Sequence, residues 1–413
     1  MMNILYLTYD GLSDPLGQSQ VIPYLLGWRK MGHEITIMSS EKKAKPELIE
    51  SISKLLNDQG ITWKNIPYTK SPPVLSTVFD IFRMMRYCNR LLKDSKFDIV
   101  HCRSYVPALI GEYLKRKTGM RFIFDMRGFY ADERIDGDIW NQNKLVYRLI
   151  YRYFKTKEAK FLSCADYTIC LTDSARKEIE TWRSIHNRPI PIEVLRCCVD
   201  TDYFHPDRVN PEELKSVAAT LGIEKEDLVL SYLGAVGTWY LLDEMLDFFK
   251  QLLGRFPNAK FLFITHEQKE MIQKKYRARG IPENRLIIVK ADHSMVPTFL
   301  ALSQLSIFFI KPVYSKKASS PAKMGEILSM GIPILCNSEV GDTTEIIGST
   351  KTGAVLQAFN ATDYDYLIDQ IPELLKTPKM QMREAALTYF SLEKGVKKYT
   401  EIHKKALLSK RPC

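Results

Sequence analysis

From its first residues the chain alternates apolar runs of β type with stretches whose apolar positions recur at helical spacing. ILYLTY, EITIMSS, ITWKNIPY, DIVHCRS, RFIFDM, YTICLT and IEVLRC read as strands, while VIPYLLGWRKMG and KPELIESISKLLNDQG read as helices. Continuous apolar strands spaced by helices predict parallel sheets covered on both faces. The periodicity lapses into a turn-rich connector at CVDTDYFHPD, residues 198–207, and resumes with LVLSYLG, KFLFITH, LIIVKA, LSIFFIK and IPILCN. The pattern predicts an α/β chain of two Rossmann-like, doubly wound domains, 1–205 and 206–384. The two are expected to face a central cleft at the C-terminal ends of their strands, where such sheets bind ligands. A last helical segment, FSLEKGVKKYTEIHKKALLSK, has no strand after it.

Composition changes this picture little. The 413 residues exceed one ordinary core, and 45% hydrophobic with 26% charged residues mark a globular chain. No apolar run approaches the roughly 20 residues that span a bilayer, and MMNILYLTYDG lacks the basic flank and cleavage site of a signal peptide, so a cytoplasmic location is expected. Cys88, Cys102, Cys164, Cys170, Cys197, Cys198, Cys336 and Cys413 show no CxxC spacing and are expected to be reduced core residues with no metal role. The net charge of +11 predicts an anionic partner: a nucleic acid, a membrane surface or a phosphorylated substrate.

Candidate chemistry starts at SSPAKMGEILSMGIP, residues 319–333. Ser320 is expected to cap a helix, with Pro321 at its first position and Gly331 and Pro333 at its stop. A helix start favours acids, yet Lys323 stands in this first turn and the single acid, Glu326, comes one turn later. A phosphate or diphosphate docked on the free amides of the helix start removes the conflict, and leaves Glu326 on the same face to accept from ribose hydroxyls. The plainer alternative is a surface lysine in an i,i+3 ion pair.

Two further loops repeat the theme. YDGLSDPLGQSQ follows the first strand, with Gly11 and Gly17 ahead of a helix expected near Val21. GAVGTWY, residues 234–240, follows LVLSYL and offers Gly234, Gly237 and the hydroxyl of Thr238 to a phosphate. Neither is GxGxxG or a P-loop, and a plain turn between strand and helix explains each one alone. Three such loops at the ends of expected strands carry more weight together.

GLSDPLGQSQ before a helix ending in MGHEI, the connector VDTDYFHP and SSPAKMGEILSMGIPI together resemble the family 4 glycosyltransferases of GT-B fold, over nearly the whole chain. The resemblance implies that Ser320, Pro321, Ala322 and Lys323 hold the diphosphate of a nucleotide-sugar donor, and that Glu326 holds its ribose. Gly17 would reach the diphosphate from the opposite domain, and VKADHSM (289–295, with Lys290) would meet the nucleobase. It also implies that the final helix, 385–413, crosses back onto the N-terminal domain. Two positions depart from the family pattern. Ala318 stands where an acid often contacts the transferred sugar, and Ala235 where an arginine often follows the glycine. Lys311, Lys316, Lys317 and Arg127 are the cations left to compensate.

Arg127 lies in FDMRGFYADERIDGDIW, a strand end dense in charge, and with Asp125 and Glu133 is a candidate for acceptor binding. It stands near where many family members carry a histidine against the transferred sugar. The segment KLVYRLIYRYFKTKEAKFL, 144–162, interleaves basic and aromatic residues; Lys144, Arg148, Arg152, Lys155 and Lys157 suit an anionic membrane or a lipid diphosphate. No RNA-binding motif accompanies it, so no nucleic-acid partner is expected.

The reading is a retaining glycosyltransferase that moves a sugar from a nucleotide diphosphate to a hydroxyl of an acceptor glycan, lipid-linked, in surface polysaccharide or glycoconjugate synthesis. Lys323, Glu326 and Arg127 are its catalytic candidates, and it uses no cofactor and no metal. It would work at the inner face of the membrane. A GT-B sugar-nucleotide epimerase predicts turnover without acceptor, and a degenerate scaffold that lost the acid and the arginine predicts weak donor binding.

Overall fold

The computed structural model describes residues 1–185, 189–266, 269–409 and 411–413, and the chain divides into two compact units. The first comprises Met1–Arg196 with Leu392–Cys413, the second Cys197–Ser391. The division falls before the expected 205/206, because the connector is tied into the second unit. The Val199 amide donates to the Phe390 carbonyl at 2.7 Å, and Val199 bridges to Ser391.

Among the described residues the first unit holds seven strands: β1 (Asn3–Thr8), β2 (Glu34–Glu41), β3 (Thr62–Pro67), β4 (Ile99–Arg103), β5 (Arg121–Asp125), β6 (Tyr167–Cys170) and β7 (Ile192–Val194). They lie in the order β3-β2-β1-β4-β5-β6-β7, every pairing parallel. The order reverses between β1 and β4, which opens a crevice at their C-terminal ends.

The helix Leu392–Leu408 belongs to this unit and packs on the helix Ile22–Lys30. Gly27 makes that approach possible, since a Cβ there would stand 2.5 Å from a Val396 methyl. Trp28 meets the rings of Tyr399 and His403 edge-on at 5.2 and 4.8 Å. The returning chain end places Cys413 beside Cys164, Cα to Cα 4.4 Å, and the two form a disulfide. This corrects the expectation of eight reduced cysteines: the partners are 249 residues apart, and no local spacing marks them. Cys88, Cys102, Cys170, Cys197, Cys198 and Cys336 are buried and lie outside this disulfide.

The second unit repeats the topology with six parallel strands: β8 (Leu228–Leu233), β9 (Ala259–Ile264), β10 (Leu286–Val289), β11 (Leu305–Phe308), β12 (Ile334–Asn337) and β13 (Gly353–Leu356), in the order β10-β9-β8-β11-β12-β13. Every residue of β8 and β9 is buried, as continuous apolar runs covered by helices on both faces require. Phe248, Phe249, Phe261 and Phe263 are its largest fully buried side chains alongside Tyr232 and Tyr276. Here the reversal lies between β8 and β11, so the loop after β8 sits at the crevice of this sheet.

Candidate active site

In the second unit the loop after β8 and the helix Ala322–Ser329 come together. Gly234 (φ +110°) and Gly237 (φ +89°) turn the chain in conformations open to glycine, and Thr238 also adopts positive φ, +45°. A Cβ on Gly234 would lie 3.1 Å from the Lys323 ammonium, so the missing side chain lets the lysine reach the loop. Thr238 is exposed, beside the crevice.

The helix starts one residue later than its sequence suggests. Pro321 is the cap residue, and Ser320 does not cap: its hydroxyl accepts from the Cys197 amide at 3.2 Å. The cause is the connector, which runs past Ser320 and claims its oxygen. Among the described residues the amides of Ala322 and Lys323 find no acceptor, while the Met324 amide turns back to the Pro321 carbonyl. No acid occupies the first turn.

Lys323 is buried, and its ammonium donates to the Tyr232 hydroxyl at 3.3 Å and lies over the Tyr240 and Tyr232 rings at 3.7 and 4.4 Å. It is not the surface lysine of the plainer reading, and Glu326 acts on it through charge without an ion pair. Burial lowers the ammonium to about 7, against the pull of Glu326. Burial likewise raises the Glu326 carboxyl to about 7, against the pull of Lys323. Glu326 is partly exposed, and its carboxylate takes no hydrogen bond from any described residue. Near neutral pH the helix start therefore carries an underpaired cation and an underpaired acid, three residues apart.

Around this pair, Lys316 is buried with its ammonium 3.6 Å over the Trp239 ring, and Lys317 lies 5.3 Å over Tyr314. Ala318 is buried, so its position contributes no reaching side chain. Lys290 is exposed just past β10, and His293 stacks on Tyr203 at 5.0 Å. Tyr232 and Tyr240, the floor under Lys323, were not among the sequence candidates. Their only signal was the aromatic residues flanking GAVG on both sides.

In the first unit the glycine loop is arranged differently from expectation. Gly17 is buried inside the helix Pro15–Gln20 rather than in a loop ahead of Val21. Its missing Cβ would meet the Gly11 carbonyl at 2.1 Å, so the glycine serves chain packing at that point. The loop amides are already committed to an internal carboxylate: Leu12 and Ser13 donate to Glu41 at 2.7 and 3.1 Å.

Asp125, at the end of β5, is fully buried and faces inward. Its carboxylate accepts from Tyr399 at 2.8 Å, with His101 at 3.5 Å and Arg127 at 3.8 Å. Burial pushes this carboxyl up, but Arg127, His101 and Arg103 outweigh it and hold it below the usual range. Asp125 thus anchors Arg127, whose φ is +58°, rather than reaching a ligand itself. Glu133 lies partly exposed in the helix Tyr130–Asp136.

Two doubly wound parallel sheets, one of them presenting a lysine-bearing helix start against a glycine loop at its crevice, define the GT-B class, and the chain is a glycosyltransferase. Residues 23–203 match the family described as Glycosyltransferase Family 4, and residues 216–387 match Glycosyl transferases group 1. Among solved structures, a glycosyltransferase from Rickettsia africae is similar over 98% of each chain, with 17% identity and a TM-score of 0.72. Sucrose-phosphate synthase from Thermosynechococcus elongatus covers 99% of this chain and 100% of its own, at 11% identity and a TM-score of 0.75. HepE from Anabaena, in complex with UDP and glucose, covers 98% and 100%, at 12% identity and a TM-score of 0.70. No curated protein matches the sequence.

Proposed function

We propose that the chain is a retaining family 4 enzyme that transfers a sugar from a nucleotide diphosphate to a hydroxyl of a lipid-linked acceptor glycan. The observation that carries the donor half is the buried Lys323, held by Tyr232 and Tyr240 at a helix start with two unclaimed amides. As the glycosidic bond breaks, negative charge gathers on the β-phosphate of the leaving nucleotide. The Ala322 and Lys323 amides and the Lys323 ammonium meet that charge where it develops. Glu326 accepts from the ribose hydroxyls, and the exposed rim at Lys290 and His293 borders the base. The similar structure of HepE holds UDP and glucose, which supports a nucleotide-sugar donor of this kind.

In the first unit Arg127, set by Asp125, meets the acceptor. The acceptor hydroxyl attacks on the face the nucleotide leaves, and the departing phosphate takes its proton, so no side-chain base is assigned. The charge of the diphosphate is met by protein cations in this scheme, and turnover is expected to persist in EDTA. In this reading the chain meets the membrane at its surface; among the described residues no helix is long and apolar enough to cross a membrane.

The test is incubation with a panel of nucleotide sugars and glycolipid acceptors, following product by mass spectrometry and its anomeric configuration by NMR. Retained configuration supports the scheme and inversion refutes it. Sugar conversion without acceptor would indicate an epimerase, and absence of donor binding a scaffold.

A further inference from the structure

The first unit carries an open apolar groove of about 410 Å³ that the sequence reading did not include. Its walls are the helices Leu75–Asp94, Tyr105–Thr118 and Leu145–Cys164, lined by Val78, Ile81, Leu109, Leu149 and Tyr153 together with Trp140. Outside the groove the same two helices expose Leu75, Phe79, Phe82 and Leu145, each more than half exposed. So much apolar surface is costly in water unless something covers it.

Two observations identify what covers it. The first is charge. Arg86, Lys144, Arg148 and Arg152 are exposed on these helices or at their ends, and none forms an ion pair with a described residue. Arg152 stands one helical turn from the lining residue Leu149, and an apolar groove on helices that carry such unneutralised cations matches an amphiphile with an anionic head. The second is continuity. Tyr130 lines the groove and opens the helix that starts three residues after Arg127, so the groove borders the segment assigned to the acceptor. We infer that the groove seats the hydrocarbon chain of the acceptor lipid, with its phosphate toward Arg152 and the other exposed cations of the same helices. The volume falls within the roughly 300–1,000 Å³ usual for small-molecule sites. This rests on the reading of a lipid-linked acceptor above, and adds where its chain lies.

Trp140 is a built-in reporter. Hexadecyl phosphate brominated along its chain, kept below the concentration at which it forms micelles, should quench the full-length protein saturably. The quenching should disappear in Trp140→Phe, and Leu149→Glu or Val78→Glu should weaken binding at least tenfold. These positions are 54% and 43% exposed, so the substitutions leave the fold intact, which circular dichroism checks. Glycerol phosphate should not compete. Absence of saturable quenching by the monomeric amphiphile, or equal affinity in both glutamate variants, overturns the inference. Quenching only by brominated anionic vesicles also overturns it, and assigns the face to the bilayer surface instead. Chain binding without sugar transfer to any lipid acceptor would sink the transferase reading and leave the chain site standing.

Discussion

Binding of a nucleoside diphosphate should draw a proton into this protein at pH 8. Burial holds the Lys323 ammonium at about 7, so at pH 8 only about a tenth of unliganded molecules carry its charge. A diphosphate at the helix start supplies the missing opposite charge and returns the ammonium toward its usual value of 10.5, a gain of up to about 5 kcal/mol for the charged form. Glu326, at about 7, is already largely ionised at pH 8, and fixing it as the acceptor of ribose hydroxyls releases only about a tenth of a proton. The net uptake is about 0.8 proton per site. At pH 6 the balance reverses: Lys323 is already charged, Glu326 must lose its proton, and the protein releases about 0.8, to which the terminal phosphate of the ligand, titrating at about 6, adds its own. Isothermal titration calorimetry in buffers of different ionisation enthalpy reads the proton number as a slope. A slope of zero at pH 8, or one that is unchanged in Lys323→Met, would refute the placement of the diphosphate against this lysine.

The same pair shapes the stability of the unliganded protein. Between about 7 and 10.5 the unfolded chain binds more protons at Lys323, so stability rises with pH there; between 4.5 and about 7 the folded chain binds more at Glu326, so stability falls. Denaturant titrations should show a local minimum near pH 7, with limbs of at most about 1.4 kcal/mol per pH unit, which vanishes in a Lys323→Met/Glu326→Gln double variant. Gly234→Ala should cost about 1–3 kcal/mol through backbone strain and weaken diphosphate binding by crowding the Lys323 ammonium, both readable by thermal shift with and without ligand. Gly325→Ala would bring a Cβ to 2.9 Å from Phe390 and 3.0 Å from Val199, and should lower stability by about 1–3 kcal/mol without touching the lysine. Tyr399→Phe removes the hydrogen bond to buried Asp125 and should cost about 1–3 kcal/mol in chemical denaturation, with loss of acceptor turnover if Arg127 acts as proposed.

The doubly wound architecture was legible because parallel strands buried on both faces leave apolar runs that no amphipathic pattern imitates. β8 and β9, LVLSYL and AKFLFI, are the plainest cases. Lys323 stood out for a different reason: a cation in the first turn of a helix contradicts the local dipole, and the structure places it there, buried. Its surroundings were hidden because Tyr232 and Tyr240 lie 91 and 83 residues before it, and only the fold brings the loop after β8 under the helix start. Ser320 was misread as a cap because its sequence neighbours satisfy the rule, while a distant backbone amide, that of Cys197, takes the oxygen. Gly17 was placed in a loop because glycine after a strand usually marks one; here a short helix intervenes, and contact with the Gly11 backbone is what requires the missing side chain. The disulfide and the Glu41 clasp on the first glycine loop are both long-range pairings without a local signature.

The most direct test of the donor site is thermal unfolding of the full chain against a panel of nucleoside diphosphates and nucleotide sugars, for wild type and Glu326→Ala. A ligand at 100 times its dissociation constant stabilises the folded state by about 2.7 kcal/mol, which for domains of this size raises Tm by roughly 5–11 °C. The account predicts that shift for one base among the panel, and its loss in Glu326→Ala. A flat panel, or an equal shift in the variant, would contradict it.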